Sequence, residues 1–220
     1  GSSPPPGAIH RKVEAPSFLY SFGDCLLLLS RREIEKLITM GEAIEAVEEA
    51  FRAKGLGKVQ MPPKSYVFLR RYHGDFRVMP AYLENIDAAG VKIVNVHPKN
   101  PKRFGLPTVM AVIVLLDPKT GAPIAIMDGT SVTNIRTGAA GAVAAKYLAR
   151  RDSEVVAMVG SGAQARTQLL ALAETFKIKE VRVNDLSVNN ARAYVRLMKK
   201  RVRADYKIFT RTEHAVRGAD

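Results

Sequence analysis

Val155-Val156-Ala157-Met158-Val159 runs directly into Gly160-Ser161-Gly162-Ala163-Gln164-Ala165, and a helix-like run from Thr167 to Phe176 follows. An apolar strand, a turn of the form G-x-G-x-x-A and a helix, in that order, make the dinucleotide fingerprint in the context it requires. The first glycine permits a tight turn, and the second lets a pyrophosphate approach the backbone. Ala165 keeps the helix close to the strand, and the helix N-terminus supplies N–H donors and positive potential. Val181-Arg182-Val183-Asn184-Asp185 reads as the next strand and ends on a carboxylate. An acid at that point accepts hydrogen bonds from ribose hydroxyls and repels a 2′-phosphate, so the pattern favours NAD(H) over NADP(H).

Toward the C-terminus the reading continues as strand 154–159, helix 163–176, strand 180–185, helix 187–201, strand 206–209 and helix 212–217. This is the first, βαβαβ half of a doubly wound Rossmann sheet. The sequence stops at Asp220, about halfway through the domain such a motif opens. One edge of the first Rossmann strand is therefore expected to be unpaired.

Upstream, Thr130 to Arg150 reads as one long helix, rich in Gly and Ala in its first half. Gly138, Ala139, Ala140 and Gly141 would let another element or a ligand come close. Residues 64–127 change to period two, with strands at Tyr66-Val67-Phe68-Leu69, Phe76-Arg77-Val78-Met79, Ala89 to Asn95, Thr108 to Leu116 and Pro123 to Met127. Turn signals at Gly74-Asp75, Pro98 to Pro101 and Asp117 to Gly121 separate them, giving an antiparallel or mixed sheet. Ser30-x-x-Glu33 and Thr39-x-x-Glu42 are capping boxes for two helices, the second reaching about Lys54. Leu26 to Leu29 reads as a buried strand. Residues 1–17, rich in Pro, Gly and Ser, read as a disordered leader. The fold class is thus α/β: an α+β module over residues 18–152, then half of a Rossmann domain over 153–220.

Composition excludes more than it selects. At 220 residues, with 47% apolar and 25% charged residues, the chain is an ordinary globular one. The single cysteine, Cys25, rules out an intrachain disulfide framework and fits a cytoplasmic location. No apolar run reaches the ~20 residues of a membrane span. The net charge of +13 is densest at Arg192, Arg196, Lys199, Lys200, Arg201 and Arg203. These read as a solvated helix face rather than a nucleic-acid surface, since no aromatic stripe or zinc spacing accompanies them. His97, before Pro98, reads as structural; His10, His73 and His214 show no partner spacing, and no metal site is expected.

Several blocks in one order resemble the family of ornithine cyclodeaminase, μ-crystallin and archaeal alanine dehydrogenase, with the nearest likeness to the last branch. They are Met61-Pro62-Pro63-Lys64-Ser65-Tyr66, Arg77-Val78-Met79-Pro80-Ala81, Ala89 to Asn95, His97-Pro98-Lys99-Asn100-Pro101, Gly105-Leu106-Pro107-Thr108-Val109, Ile135-Arg136-Thr137-Gly138-Ala139-Ala140-Gly141 and the Gly160–Ala165 loop. The resemblance implies a homodimer with a split substrate/dimerisation domain and an inserted Rossmann domain, using NAD(H) or NADP(H); with Asp185 the cofactor expected is NAD. By motif, Lys92 matches the active-site lysine, and Lys64 and Arg77 match substrate-carboxylate contacts. Arg136 matches the arginine between substrate and cofactor. Thr108, Arg136, Thr137, Gly160, Gly162, Ala163, Gln164 and Asp185 match the cofactor site. The family's catalytic aspartate lies in the second Rossmann half and has no counterpart before Asp220.

The residues themselves support such chemistry. Four cations on one pocket, Lys64, Arg77, Lys92 and Arg136, would bind an α-carboxylate and depress the pKa of a lysine among them. A lysine so tuned acts as acid and base at an amine or imine carbon near neutral pH. Cyclodeaminases of the family tend to carry a carboxylate where Arg77 stands, and an arginine would repel ornithine's second ammonium. The expectation is an NAD-dependent oxidoreductase on a small L-amino acid, first of all alanine to pyruvate and ammonia. The alternatives are ornithine cyclodeaminase, making proline and ammonia, and a non-catalytic μ-crystallin-like binding protein or inactive fragment.

Overall fold

A computed structural model describes residues 26–220; the leader proposed for residues 1–17 lies outside them, as does Cys25. Two sheets carry the chain. The first holds β1 (Leu27–Leu29), β2 (Val59–Gln60), β3 (Ser65–Leu69), β4 (Gly74–Leu83), β5 (Ala88–Val96), β6 (Val109–Leu116) and β7 (Pro123–Asp128). Its order is β1-β7-β6-β5-β4-β2, with β3 also on β4, and it is mixed because β1 alone runs parallel to its neighbour. The helices that serve it are α1 (Arg31–Leu37), α2 (Met40–Gly55), a short α3 (Asn100–Phe104) and α4 (Gly129–Leu148).

Local chemistry explains the boundaries. Ser30 and Thr39 open α1 and α2 through complete capping boxes with Glu33 and Glu42. Asp128 caps α4, its carboxylate accepting from Thr130 N and Ser131 N at 3.3 and 2.8 Å. The β6–β7 turn closes on Asp117, which accepts from Lys119 N and the Thr120 hydroxyl. β4 continues past the expected Met79 to Leu83 and so carries Pro80 inside a strand. Pro80 pairs with Val91 on one side. On its other side β3 pairs only up to Val78 and β2 only from Tyr82, so no partner there requires the missing N–H.

Period two sorts the sheet's faces. Lys92 lies opposite Met79 and Ile113, on the face where Val94 and Ala125 are buried beneath the helices. The other face carries a row Leu28–Ile126–Val114–Val91–Pro80 across five strands, with Ile93 and Val112 beside it. None of these is buried, and Leu28 is 56% exposed. The expectation of a buried strand at Leu26–Leu29 is therefore corrected: β1 is an edge strand, with Leu26, Leu27 and Leu28 exposed and Leu29 partly buried.

The second sheet is β10 (Asp205–Phe209), β9 (Glu180–Asn184) and β8 (Val155–Val159), all parallel and in that order. With α5 (Ala163–Thr175), α6 (Val188–Met198) and α7 (Thr212–Val216) it makes the expected half of a doubly wound sheet, with β8 at an edge. Its core is Leu169, Val181, Val183, Ala191, Tyr194 and Met198, each almost wholly buried. The Tyr194 hydroxyl donates to Ala165 O at 3.0 Å, and burial pushes its pKa above the ordinary phenol value, so it stays a donor. α6 turns Arg192 and Arg196 to solvent while Ala191, Tyr194 and Met198 face the core.

The small-residue stretch of α4 is filled by protein. A Cβ on Gly138 would sit 2.4 Å from Thr167 O, and one on Gly141 would collide with the Gln168 side chain. α5 therefore packs backbone-close against α4 and ties the two sheets together. Shorter differences are that α4 ends at Leu148 and α6 at Met198, where exposed polar residues no longer continue the buried stripe. Among the described residues no helix is long and apolar enough to cross a membrane.

Candidate active site and dinucleotide site

Lys92 stands mid-strand on β5, half-buried under α4. Its pKa falls to about 8, first because burial strips water from the ammonium, then because Arg136 and Lys64 repel it. Lys64 precedes β3 and is exposed; Arg136 projects from α4, with its own pKa lowered by desolvation although solvent still reaches the side chain. The fold thus brings Lys64 and Arg136 close enough to Lys92 to act on its charge.

Arg77 shares the Lys92 face, one strand over and diagonal to it, since Arg77 pairs with Val94 and Met79 with Lys92. Its charge is compensated. Nε donates to Asp75 Oδ1 at 2.8 Å and Nη2 to Oδ2 at 3.2 Å, and the guanidinium lies 5.0 Å from the Tyr66 ring. Four converging cations were expected; one of them, Arg77, is held in an ion pair with Asp75. Asp75 read only as part of a turn and Tyr66 only as part of a strand and a family block, although the β3–β4 hairpin register sets Tyr66 opposite Arg77. The pairing also weakens the argument that Arg77 repels a second ammonium.

The nucleotide loop has the geometry its sequence requires. Gly160 adopts φ +91°, which favours glycine, and its N–H donates to Asn184 O at 2.8 Å. Gly162 caps α5, and a Cβ there would meet open space. Asp185 accepts from Ser161 N and Oγ at 2.9 and 2.6 Å and from Ser187 N at 2.8 Å. These bonds, led by the Ser161 hydroxyl, hold its carboxyl below the ordinary range, so it is charged at neutral pH. A positive-φ glycine, an uncovered helix start and an ionised acid beside it fit a dinucleotide. Ser187, rather than Asp185, caps α6. Ser161 was not singled out in the sequence, though it occupies the variable position between the two glycines.

Gln164 Nε2 donates to Asn134 Oδ1 at 2.8 Å, and Gln168 Nε2 to Thr137 O at 3.2 Å. Both bonds fasten α5 to α4, the helix that carries Arg136. The Thr137 hydroxyl donates back to Thr133 O. Ala163 is exposed at the first turn of α5, and half-buried Thr108 precedes β6, its carbonyl accepting from His97 N. The His97 ring takes the space beside Gly74, where a Cβ would lie 2.5 Å from it. Among the described residues no cluster of His, Cys, Asp or Glu could hold a metal.

The profile of the ornithine cyclodeaminase/mu-crystallin family matches residues 26–220. Alanine dehydrogenase of Archaeoglobus fulgidus is 52% identical over 169 residues, 77% of this chain and 51% of that protein. Thermococcus litoralis Δ1-pyrroline-2-carboxylate reductase, solved with NADH and L-proline, superimposes with a TM-score of 0.85 at 44% identity over 88% of this chain and 59% of that one. An archaeal alanine dehydrogenase dimer with bound NAD gives 0.79 at 48% identity, over 84% and 56%. The chain spans between half and three-fifths of the length of these relatives.

Proposed function

The chain belongs to the ornithine cyclodeaminase/mu-crystallin family, and from that premise we propose NAD-dependent oxidoreduction at the C–N bond of a small L-amino acid, first of all L-alanine to pyruvate and ammonia. The observation that carries this reading is Lys92, its pKa near 8 beside Lys64 and Arg136, on a sheet face overlain by the helix fastened to the Gly160–Ala165 loop. Residues 26–152 then form the substrate half and 153–220 the nucleotide half.

NAD is the cofactor on this reading, held by Gly160, Gly162, Ala163, Gln164 and Asp185, with Thr108, Arg136 and Thr137 nearby. When bound, its nicotinamide supplies the acceptor for the hydride leaving the substrate α-carbon. The chain's own residues do the rest. Lys64, Arg77 and Arg136 hold the α-carboxylate and fix which face of the α-carbon is presented. Lys92 as free amine takes a proton from the substrate ammonium or from the water that adds to the imine, and as ammonium returns one to the departing ammonia. Alanine, NAD⁺ and water thus yield pyruvate, ammonium, NADH and a proton.

A second reading, reduction of a cyclic imine to proline, is supported by the Thermococcus protein solved with NADH and L-proline. Both readings exchange a hydride at a carbon that bears nitrogen and a carboxylate, the first in the oxidative direction and the second in the reductive one. Partnership with a second copy of the chain is also part of the proposal, through the uncovered row from Leu28 to Pro80; the archaeal alanine dehydrogenase is a dimer.

NADH consumption with pyruvate and ammonium tests the first reading, against Δ1-pyrroline-2-carboxylate with NADH and ornithine with NAD. Turnover only with the cyclic imine selects the second reading, and proline from ornithine would establish cyclodeamination instead. NADH binding without turnover of any of the three would point to a μ-crystallin-like binding protein.

A further inference from the structure

We infer that Asp75 is a positioning residue for the substrate carboxylate: it locks Arg77 so that only the outer edge of the guanidinium is open to a ligand. The inference rests on the proposed function, in which Arg77 touches that carboxylate. Asp75 and Arg77 are two residues apart on β4 and therefore share a face. Nε and Nη2 both bond the Asp75 carboxylate, at 2.8 and 3.2 Å, which occupies one edge of the planar group. The Arg77 guanidinium carbon lies over the ring of Tyr66, its cross-strand partner, 5.0 Å from the ring centre. Tyr66 in turn stacks on Phe68 at 5.8 Å and 13°, and Phe68 is the cross-strand partner of Asp75. The four side chains close a square over two strands.

An arginine has five N–H groups. Two are spent on Asp75, leaving both on Nη1 and one on Nη2. One N–H from each Nη makes the end-on fork that matches a planar carboxylate with two parallel hydrogen bonds. With one edge bonded to Asp75 and the guanidinium carbon resting over the Tyr66 ring, the fork is aimed before a ligand arrives, which removes ordering cost from binding. Asp75 also lowers the net charge gathered on this face by one, because its carboxylate compensates Arg77.

Calorimetric titration of the full chain with pyruvate tests this, using Asp75→Ala, Asp75→Asn, Arg77→Lys and the Asp75→Ala/Arg77→Lys pair. Asp75→Ala is expected to weaken pyruvate binding about tenfold, the scale of one charge-assisted hydrogen bond. Asp75→Asn, which keeps one acceptor, should fall between. In the Arg77→Lys background Asp75→Ala should change affinity less than about twofold, because a lysine has no fork to aim. The Arg77 Nε–H should give a slowly exchanging nitrogen-15 resonance that Asp75→Asn broadens or shifts, a readout independent of any ligand. Unchanged or tighter pyruvate binding by Asp75→Ala overturns the inference while leaving the proposed function standing. No pyruvate binding by the unaltered chain overturns both.

Discussion

Lys92 is charged at a cost that the rest of the sheet bears. Its folded pKa near 8 lies below its ordinary value of 10.5, so the native state holds its proton less tightly than the unfolded chain does. The cost is complete below about pH 8, where the lysine is charged in both states, and vanishes above about pH 10.5, where it is neutral in both. Lys92→Met, of similar length and apolar, should therefore stabilise the protein at pH 7 by about 1–3 kcal/mol, less than the full shift because the site is only half-buried. Denaturant unfolding at pH 7 and pH 10.5 checks this; a gain as large at the higher pH would remove the charge argument. Stability surrendered at one lysine is the usual mark of a residue kept for chemistry. The residues that carry motifs, Lys92, Arg136 and Asp185, were legible in the sequence. Asp75 and Ser161 were not, because what they do depends on which side chain the fold sets beside them.

At the scale of elements, the α4–α5 contact joins the substrate-side sheet to the nucleotide-side sheet. Gly138 is indispensable there, since any Cβ would press on Thr167 backbone rather than on a side chain that can turn away. Gly138→Ala should cost about 1–3 kcal/mol and loosen the Gln164–Asn134 and Gln168–Thr137 bonds with it. Gly41, in the first turn of α2 with nothing within 4 Å of its Cβ position, is the control: Gly41→Ala should be neutral or stabilising by up to about 1 kcal/mol. Paired thermal unfolding of the two variants separates helix propensity from packing, and equal effects would sink the packing account. Helix starts were readable because a capping box is written in four consecutive residues. The short α3 and β2 were not, because neither has enough length to show a period.

For the molecule as a whole, one sheet face is buried under helices and the other is apolar and open. A row of Leu28, Ile126, Val114, Val91 and Pro80 is more than single scattered hydrophobes, and such a surface calls for a partner. If a second copy supplies it, Ile93→Lys, placed beside the row and 38% exposed, should turn a dimer into a monomer in sedimentation without altering the Lys92 face. A variant that stays dimeric would show that copies meet elsewhere. What the sequence determined by itself is short-range: the strand–turn–helix of the nucleotide loop, the capped helices, the alternation of β3 to β7, and the presence of the cations. Only the tertiary structure decided that Arg77 is paired, that α5 fills the glycine stretch of α4, and that Leu27 and Leu28 of β1 are exposed. The reason is physical. Caps, turns and periods are satisfied within a few residues of chain, whereas ion pairs, backbone-close helix contacts and burial depend on register and packing between segments far apart in sequence.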